Sequence, residues 1–388
     1  MRKVYLDNNA TTQLHPEALD AMLPYLKDSY GNPSSIHQFG REVWGDIVDA
    51  RASVANLLGC DTSEIYFTSG GTEADNIAVI GTAYANADKG KHVITSSIEH
   101  HAVLESCHYL EKNGFEVTYL PVDEDGCVNP DDLKKAIRKD TILVSIMHIN
   151  NETGSIQDIK TMASIAKDAG VYFHTDAVQS AGKEPVNVGA LGIDLLAASA
   201  HKINGPKGSG LIYIRKGTKV EPRMYGGHHE SGMRAGTENV AGIIGLSKAL
   251  EISCANMETE YHRYTDLTSK LWNGITSQVD DVVLNGCKCG NRRFPNTLNI
   301  SFKGIEGEAI ILNLDIIGIG VASGSACSSG STDPSHVLLA MGVESWVARG
   351  SLRISFGKFT TEEDIDYVIE QVPPVVERLR KMSPVYNR

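Results

Sequence analysis

Two residue types at a wide spacing suggest carbon-acid chemistry. Lys202 stands in Ala198-Ser199-Ala200-His201-Lys202-Ile203-Asn204-Gly205, and Asp176 closes the apolar run Val171-Tyr172-Phe173-His174-Thr175-Asp176. A lysine amine condenses with a cofactor carbonyl, and a carboxylate keeps a pyridine nitrogen protonated so that the ring can accept the electrons of a substrate carbanion. Pyridoxal 5'-phosphate needs both. Taken singly, the lysine fits a solvated loop and the aspartate a strand-end cap. A third element joins them: Thr68-Ser69-Gly70-Gly71-Thr72 follows the strand-like Glu64-Ile65-Tyr66-Phe67 and opens an amphipathic helical stretch. Glycines let the backbone close round a phosphate, hydroxyls donate to it, and a helix N-terminus offers unpaired N–H groups.

A fourth element carries a thiol. Ala322-Ser323-Gly324-Ser325-Ala326-Cys327-Ser328-Ser329-Gly330-Ser331 sets one cysteine among small residues that pack no core. By itself this reads as a Ser/Gly linker with an incidental cysteine. Beside a lysine and an aspartate for pyridoxal phosphate, it reads as a thiolate that travels between substrate and acceptor.

The elements that position these residues follow a βα rhythm. His92–Thr95 precedes a helical 102–112, Val117–Leu120 precedes 131–137, and Ile142–Ile146 precedes 159–167, after which comes Val171–Phe173. Such alternation predicts an α/β fold with a mostly parallel sheet, whose ligands lie at the carboxyl ends of strands. The Thr68–Thr72 turn, Asn151 and Asp176 all fall there. From Thr237 to about Trp272 the pattern is long and helical, without proline, and leads from the large domain to the small one; beyond it, Thr297–Phe302, 306–314, Leu352–Phe356 and a helix from Thr361 make an α+β lobe. The expected division is a large domain of 16–257 and a small domain of 1–15 with 258–388, the cysteine loop spanning about 320–334.

A chain of 388 residues is long enough for two lobes with a sizeable core. A net charge of −12 argues against a nucleic-acid backbone as main partner. Neither a membrane-length apolar run nor a signal-peptide core is visible, so a cytoplasmic protein is expected. Seven scattered cysteines are no disulfide framework. Cys287-Lys288-Cys289 has no second pair nearby to complete a zinc site and reads as a surface turn.

Further segments carry a resemblance: Tyr5-Leu6-Asp7-Asn8-Asn9-Ala10-Thr11-Thr12, Gly31-Asn32-Pro33-Ser34-Ser35, Asn150-Asn151-Glu152-Thr153-Gly154 and Gly232-Met233-Arg234-Ala235-Gly236-Thr237. With the lysine, aspartate and cysteine segments, in this order, the chain resembles the NifS/IscS cysteine desulfurases. They form a group within the class V aminotransferases, which are fold-type I pyridoxal phosphate enzymes. The cysteine loop has the longer form of that group. The resemblance implies conversion of L-cysteine to L-alanine, with sulfur passing to Cys327 as a persulfide and on to an iron–sulfur scaffold protein or a tRNA-thiolation relay. It implies a homodimer.

It also implies residue roles. Lys202, Cys327 and His100 (in Glu99-His100-His101-Ala102-Val103) would be catalytic, with His100 stacking on the cofactor ring. Asp176, Asn151 and Gln179 would contact the cofactor, Gly71, Thr72, Ser199 and His201 its phosphate, and Thr237 the phosphate of the partner subunit. Asn151 and Arg353, in Ser351-Leu352-Arg353-Ile354-Ser355, would bind substrate. No resident metal is implied, although Cys327 is a candidate cluster ligand in a scaffold complex. Gly226-Gly227-His228-His229-Glu230 departs from the commoner Gly-Gly-Gly-Gln-Glu form. A class V aminotransferase or a selenocysteine lyase would use the same lysine, aspartate and phosphate loop, though an aminotransferase would have no use for Cys327, and a non-catalytic sulfur-relay subunit would keep the fold for binding.

Overall fold

The computed structural model describes residues 2–287, 292–324, 333–384 and 386. Its strands, in chain order, are β1 (Val4–Tyr5), β2 (Ile65–Thr68), β3 (His92–Ser96), β4 (Glu116–Leu120), β5 (Thr141–Ser145), β6 (Tyr172–Asp176), β7 (Leu195–Ser199), β8 (Gly210–Ile214), β9 (Val282–Leu284), β10 (Thr297–Phe302), β11 (Ile319–Gly320) and β12 (Ser351–Ser355). Seven of them form one sheet in the order β2-β8-β7-β6-β5-β3-β4. The run from β4 to β7 is parallel, and β8 lies antiparallel between β7 and β2. The chain is therefore α/β with a mostly parallel sheet. Every residue of β3, β5, β7 and β8 is buried, because helices cover both faces.

The βα units match the sequence pattern within a residue or two, except that β6 runs three residues further, to Asp176. The helix His101–Lys112 is capped by the His100 ring and the helix Ile159–Asp168 by Asp158, each accepting a backbone N–H of the first turn. Side chains such as Phe173, fully buried in β6, join one core that runs from Ala18 to Leu250. Burying each such side chain stabilises the fold by about 1.5–3 kcal/mol. A second core gathers Leu6, Leu271, Ile300, Leu352 and Val372 round the sheet β12-β10-β9. The last helix, Glu362–Met382, starts at a Thr361/Asp364 capping box.

Three expectations need correction. The stretch after Thr72 is not amphipathic: Ala74, Ile77, Ala78, Val79, Ile80 and Ala83 are all buried, with a π-helical segment at Ile77–Gly81. This helix packs under the sheet rather than along the surface. The long 237–272 helix is two helices, Val240–Ala255 and Met257–Thr276, bent by 70°. Asn256 makes the break, its side-chain amide donating to the Ile252 carbonyl that the helix end leaves open. Cys287 is buried, not on a surface turn. Asn285, two residues before it, is tied to Asn299 and Ser301, and Gly286 is pressed against Thr153. Cys289 lies outside the described residues. No single helix among the described residues is long and apolar enough to cross a membrane.

Candidate active site

The carboxyl ends of β2, β6 and β7 meet at one crevice. Asp176 is the last residue of β6, Ser199 the last of β7, and Lys202 ends the 3-10 turn Ala200–Lys202 that follows β7. One carboxylate oxygen of Asp176 accepts the Val178 N–H at 2.8 Å. Burial raises the Asp176 carboxyl to about 6, against the lowering effects of that N–H and of Lys202. An acid so placed is readily made anionic by a cationic ring nitrogen beside it. Lys202 Nζ donates to the main-chain oxygens of Asn9 (2.6 Å) and Ala10 (2.9 Å).

His100 accepts the Ala102 N–H on Nδ1 at 3.1 Å, which leaves Nε2 as the protonated nitrogen of its neutral ring. Burial, with Lys202, His101 and His336, pushes it down to about 4. The ring is therefore neutral near pH 7, suited to stacking on a planar cofactor. His201, its Nδ1 3.2 Å from the Thr11 hydroxyl, is pushed down to about 4 by burial, Lys202, Lys207 and Lys183.

The phosphate turn passes a test of fit. Ser199 Oγ is buried with no hydrogen-bond partner among the described residues, beside Gly70 and Gly71. A Cβ on Gly71 would stand 2.5 Å from Val178 Cγ2, so only glycine lets this turn approach the turn after β6 so closely. A buried orphan hydroxyl beside the first turn of the Gly71–Asn76 helix suits a phosphate acceptor. Thr72 is exposed in that first turn. Glu73 fastens the turn through Ser69 and, at 2.9 Å, Arg234. Thr237 is exposed three residues beyond Arg234, at the surface and away from this turn's hydrogen bonds.

On the other side of the crevice Arg353, 2% exposed in β12, reaches Asp7 through Nη2 at 2.7 Å and the Asn151 carbonyl through Nη1 at 3.3 Å. Its Nε–H is buried with no hydrogen-bond partner among the described residues. Gln179 donates through Nε2 to the Asn9 carbonyl at 3.0 Å, and Asn9 Nδ2 donates to the Asn151 carbonyl and to Thr297. Lys202, Gln179, Asn151 and Arg353 are thus joined through the N-terminal segment. Cys327 lies outside the described residues.

Aminotransferase class V is the family model that matches, over residues 4–368. The chain belongs to that family, within its NifS/IscS cysteine desulfurase group. Among curated proteins it is 54% identical to the cysteine desulfurase IscS of Dictyoglomus turgidum, covering 99% of this chain and 97% of the relative. It is 52% identical to the cysteine desulfurase IscS of Methanosarcina thermophila, over 99% and 94%. Among solved structures it is similar to a NifS-like protein at TM-score 0.91 and 39% identity, over 97% of this chain and all of that one. Fold-type I architecture and dependence on pyridoxal phosphate follow from membership.

Residues beneath the crevice escaped the sequence reading. Asp75, Glu99 and His174 are fully buried around Asp176: Glu99 accepts from Ser96 and the Met147 N–H, and His174 Nε2 lies 3.5 Å from Asp75. Burial raises Glu99 to about 8 and Asp75 well above the usual carboxylate range, and pushes the His174 ring well down. Glu99 was visible as the first letter of the Glu-His-x-Ala-Val segment; His174 carried no signal apart from sitting in an apolar run, and Asp75 none apart from following the glycine turn. The variant 226–230 loop keeps an anchor, since Glu230 pairs bidentately with Arg51 at 2.7 Å and accepts the Phe67 N–H.

Proposed function

We propose that this chain is a cysteine desulfurase that takes sulfur from L-cysteine onto Cys327 and releases L-alanine. The observation that carries the reading is the convergence of Lys202, Asp176, His100 and Arg353 on one crevice with an orphan Ser199 hydroxyl, in a chain matched along its length by cysteine desulfurases. Pyridoxal phosphate, when bound, supplies an electrophilic carbon and a ring that takes up electrons released at the substrate α-carbon. Gly71, Thr72, Ser199 and His201 would hold its phosphate, with Thr237 serving the partner subunit's copy. Asp176 would keep the ring nitrogen protonated, and Gln179 and Asn151 would hold the side of its phenolic oxygen. His100 would cover the ring face.

Arg353 grips the cysteine carboxylate, which orients the α-hydrogen toward Lys202. Lys202 Nζ, drawn away from the Asn9 and Ala10 carbonyls, removes that proton. The Cys327 thiolate then attacks the substrate sulfur; the new S–S bond forms as the C–S bond breaks, and the three-carbon fragment is protonated to alanine. Sulfur leaves Cys327 for an acceptor such as an iron–sulfur scaffold protein or a tRNA-thiolation relay.

The division into 16–257 and 1–15 with 258–388 is supported by a main core drawn from residues 18–250 and a second drawn mostly from the N-terminal strand and residues beyond 258, with a small cluster of Ile98, Met147, Val337 and Leu338 packing across the boundary. A homodimer is supported by a band of exposed apolar side chains on one segment: Tyr30 (76% exposed), Ile36 (91%), Phe39 and Trp44. A cytoplasmic location accords with this chemistry. The deciding experiment is Cys327→Ala. It should keep a yellow cofactor and still bind L-cysteine, yet release little alanine, while wild-type protein treated with cysteine without reductant should carry one extra sulfur on the Cys327 peptide. Alanine made by the variant at the wild-type rate, or a persulfide found on another cysteine alone, sinks the reading; a keto acid in place of alanine favours an aminotransferase.

A further inference from the structure

Lys183, in Ser180-Ala181-Gly182-Lys183, would be taken from sequence for a solvated turn lysine. The structure turns it inward. Its Nζ donates to Gln179 Oε1 at 2.9 Å, while Gln179 Nε2 donates to the Asn9 main-chain oxygen at 3.0 Å. That same oxygen receives Lys202 Nζ at 2.6 Å. A carbonyl accepts and never donates, so Asn9 fixes which end of the Gln179 amide bears nitrogen, and the Lys183 amine covers the oxygen end. The second N–H on Gln179 Nε2 is left as a donor.

We propose that Lys183 is a positioning residue that locks the Gln179 side-chain amide, so that Gln179 presents an N–H, and not its oxygen, to the cofactor's phenolic oxygen. The proposal rests on the role given above to Gln179. Asn9 alone would leave the amide tethered at one end; with Lys183 both ends are held, and rotation about the last side-chain bond breaks two hydrogen bonds at once. Burial and the neighbouring Lys202 push the Lys183 amine down to about 7, yet an amine donates to an amide oxygen in either charge state. Lys183 and Lys202 line one small cavity of about 40 Å³ with Glu260 and Lys358, and His201 also feels both amines. Tyr264 also lines that cavity.

The test reads a spectrum rather than turnover. Lys183→Met keeps much of the stem and removes the amine; Lys183→Leu repeats the measurement should the methionine variant misfold. In cofactor-loaded protein the visible band should persist, with the pH midpoint of its spectral change moved upward by about one unit, because the Gln179 N–H, a donor that favours the deprotonated form, is no longer held in place. Gln179→Leu should move it in the same direction. The double variant should shift by clearly less than the sum of the two single shifts, since one residue acts through the other. A Lys183→Met midpoint equal to wild type, with Gln179→Leu shifted, overturns the proposal and leaves the Gln179 role standing. Additive shifts overturn it too. A Gln179→Leu midpoint equal to wild type removes the Gln179 role itself.

Discussion

Replacing Arg353 by methionine separates substrate binding from everything else in the crevice. The guanidinium is held on one edge by Asp7 and by the Asn151 carbonyl, and its buried Nε–H has no partner among the described residues. A carboxylate that reaches this unpaired edge, displacing what packs over it, gains two charge-assisted hydrogen bonds, each worth about 1.5–3 kcal/mol. Their loss corresponds to roughly a 100- to 10,000-fold fall in kcat/KM, most of it in KM because the grip is made before the chemistry. The fold should tolerate the change. Asp7 is 22% exposed at its side chain, so water can replace the lost partner, and the cost in stability is about 1–2 kcal/mol. Arg353→Lys keeps the charge but not the fork, and its KM should fall between those of wild type and Arg353→Met. The assay is alanine release against cysteine concentration, beside the visible spectrum of the resting protein. An Arg353→Met KM within about threefold of wild type, or a changed spectrum with an unchanged KM, would refute the assignment.

Lys202→Ala should abolish the visible absorption of reconstituted protein together with turnover; a wild-type spectrum would move the covalent link to another amine. Asp176→Ala should weaken cofactor binding and slow turnover by orders of magnitude, and normal turnover would show that another group protonates the ring. Glu99 gives a pH signature in the apoprotein. Its folded value of about 8 lies above the usual carboxylate value, so between about 4.5 and 8 the native state holds a proton that the unfolded chain releases. Its share of stability is therefore full below that window and is lost as pH rises through it, a difference of about 3 kcal/mol by pH 7. Glu99→Gln should flatten urea-derived stability between pH 5 and 8 by that amount, and an unchanged slope would place the proton elsewhere.

The parallel part of the sheet was legible because each strand feeds a helix with a clear apolar stripe, and β10 appeared at its observed bounds, Thr297–Phe302. Among the parallel strands β7 was the exception, and β8, which pairs antiparallel with it, was missed too, because the chain between them, which holds the Lys202 segment, has no long helix to mark the rhythm. The break at Asn256 was hidden because an asparagine side chain, with no proline, ends the helix. In the site, residues with distinctive chemistry in distinctive segments were readable. Lys183, Asp75 and His174 were not, because a polar residue in sequence reads as solvated until a fold encloses it.

The Asn9 peptide that receives Lys202 and Gln179 is itself fastened by the far end of the chain: its N–H donates to Ser355 Oγ, and Asn8 Nδ2 donates to the Ser355 carbonyl. During synthesis the segment that will seat the reactive lysine must therefore wait for residue 355. At about 5–20 residues per second that interval is roughly 20–70 s. The large sheet can form on the ribosome while the crevice stays unassembled, so a nascent chain stalled before β12 should be compact, resistant to protease and still unable to retain pyridoxal phosphate.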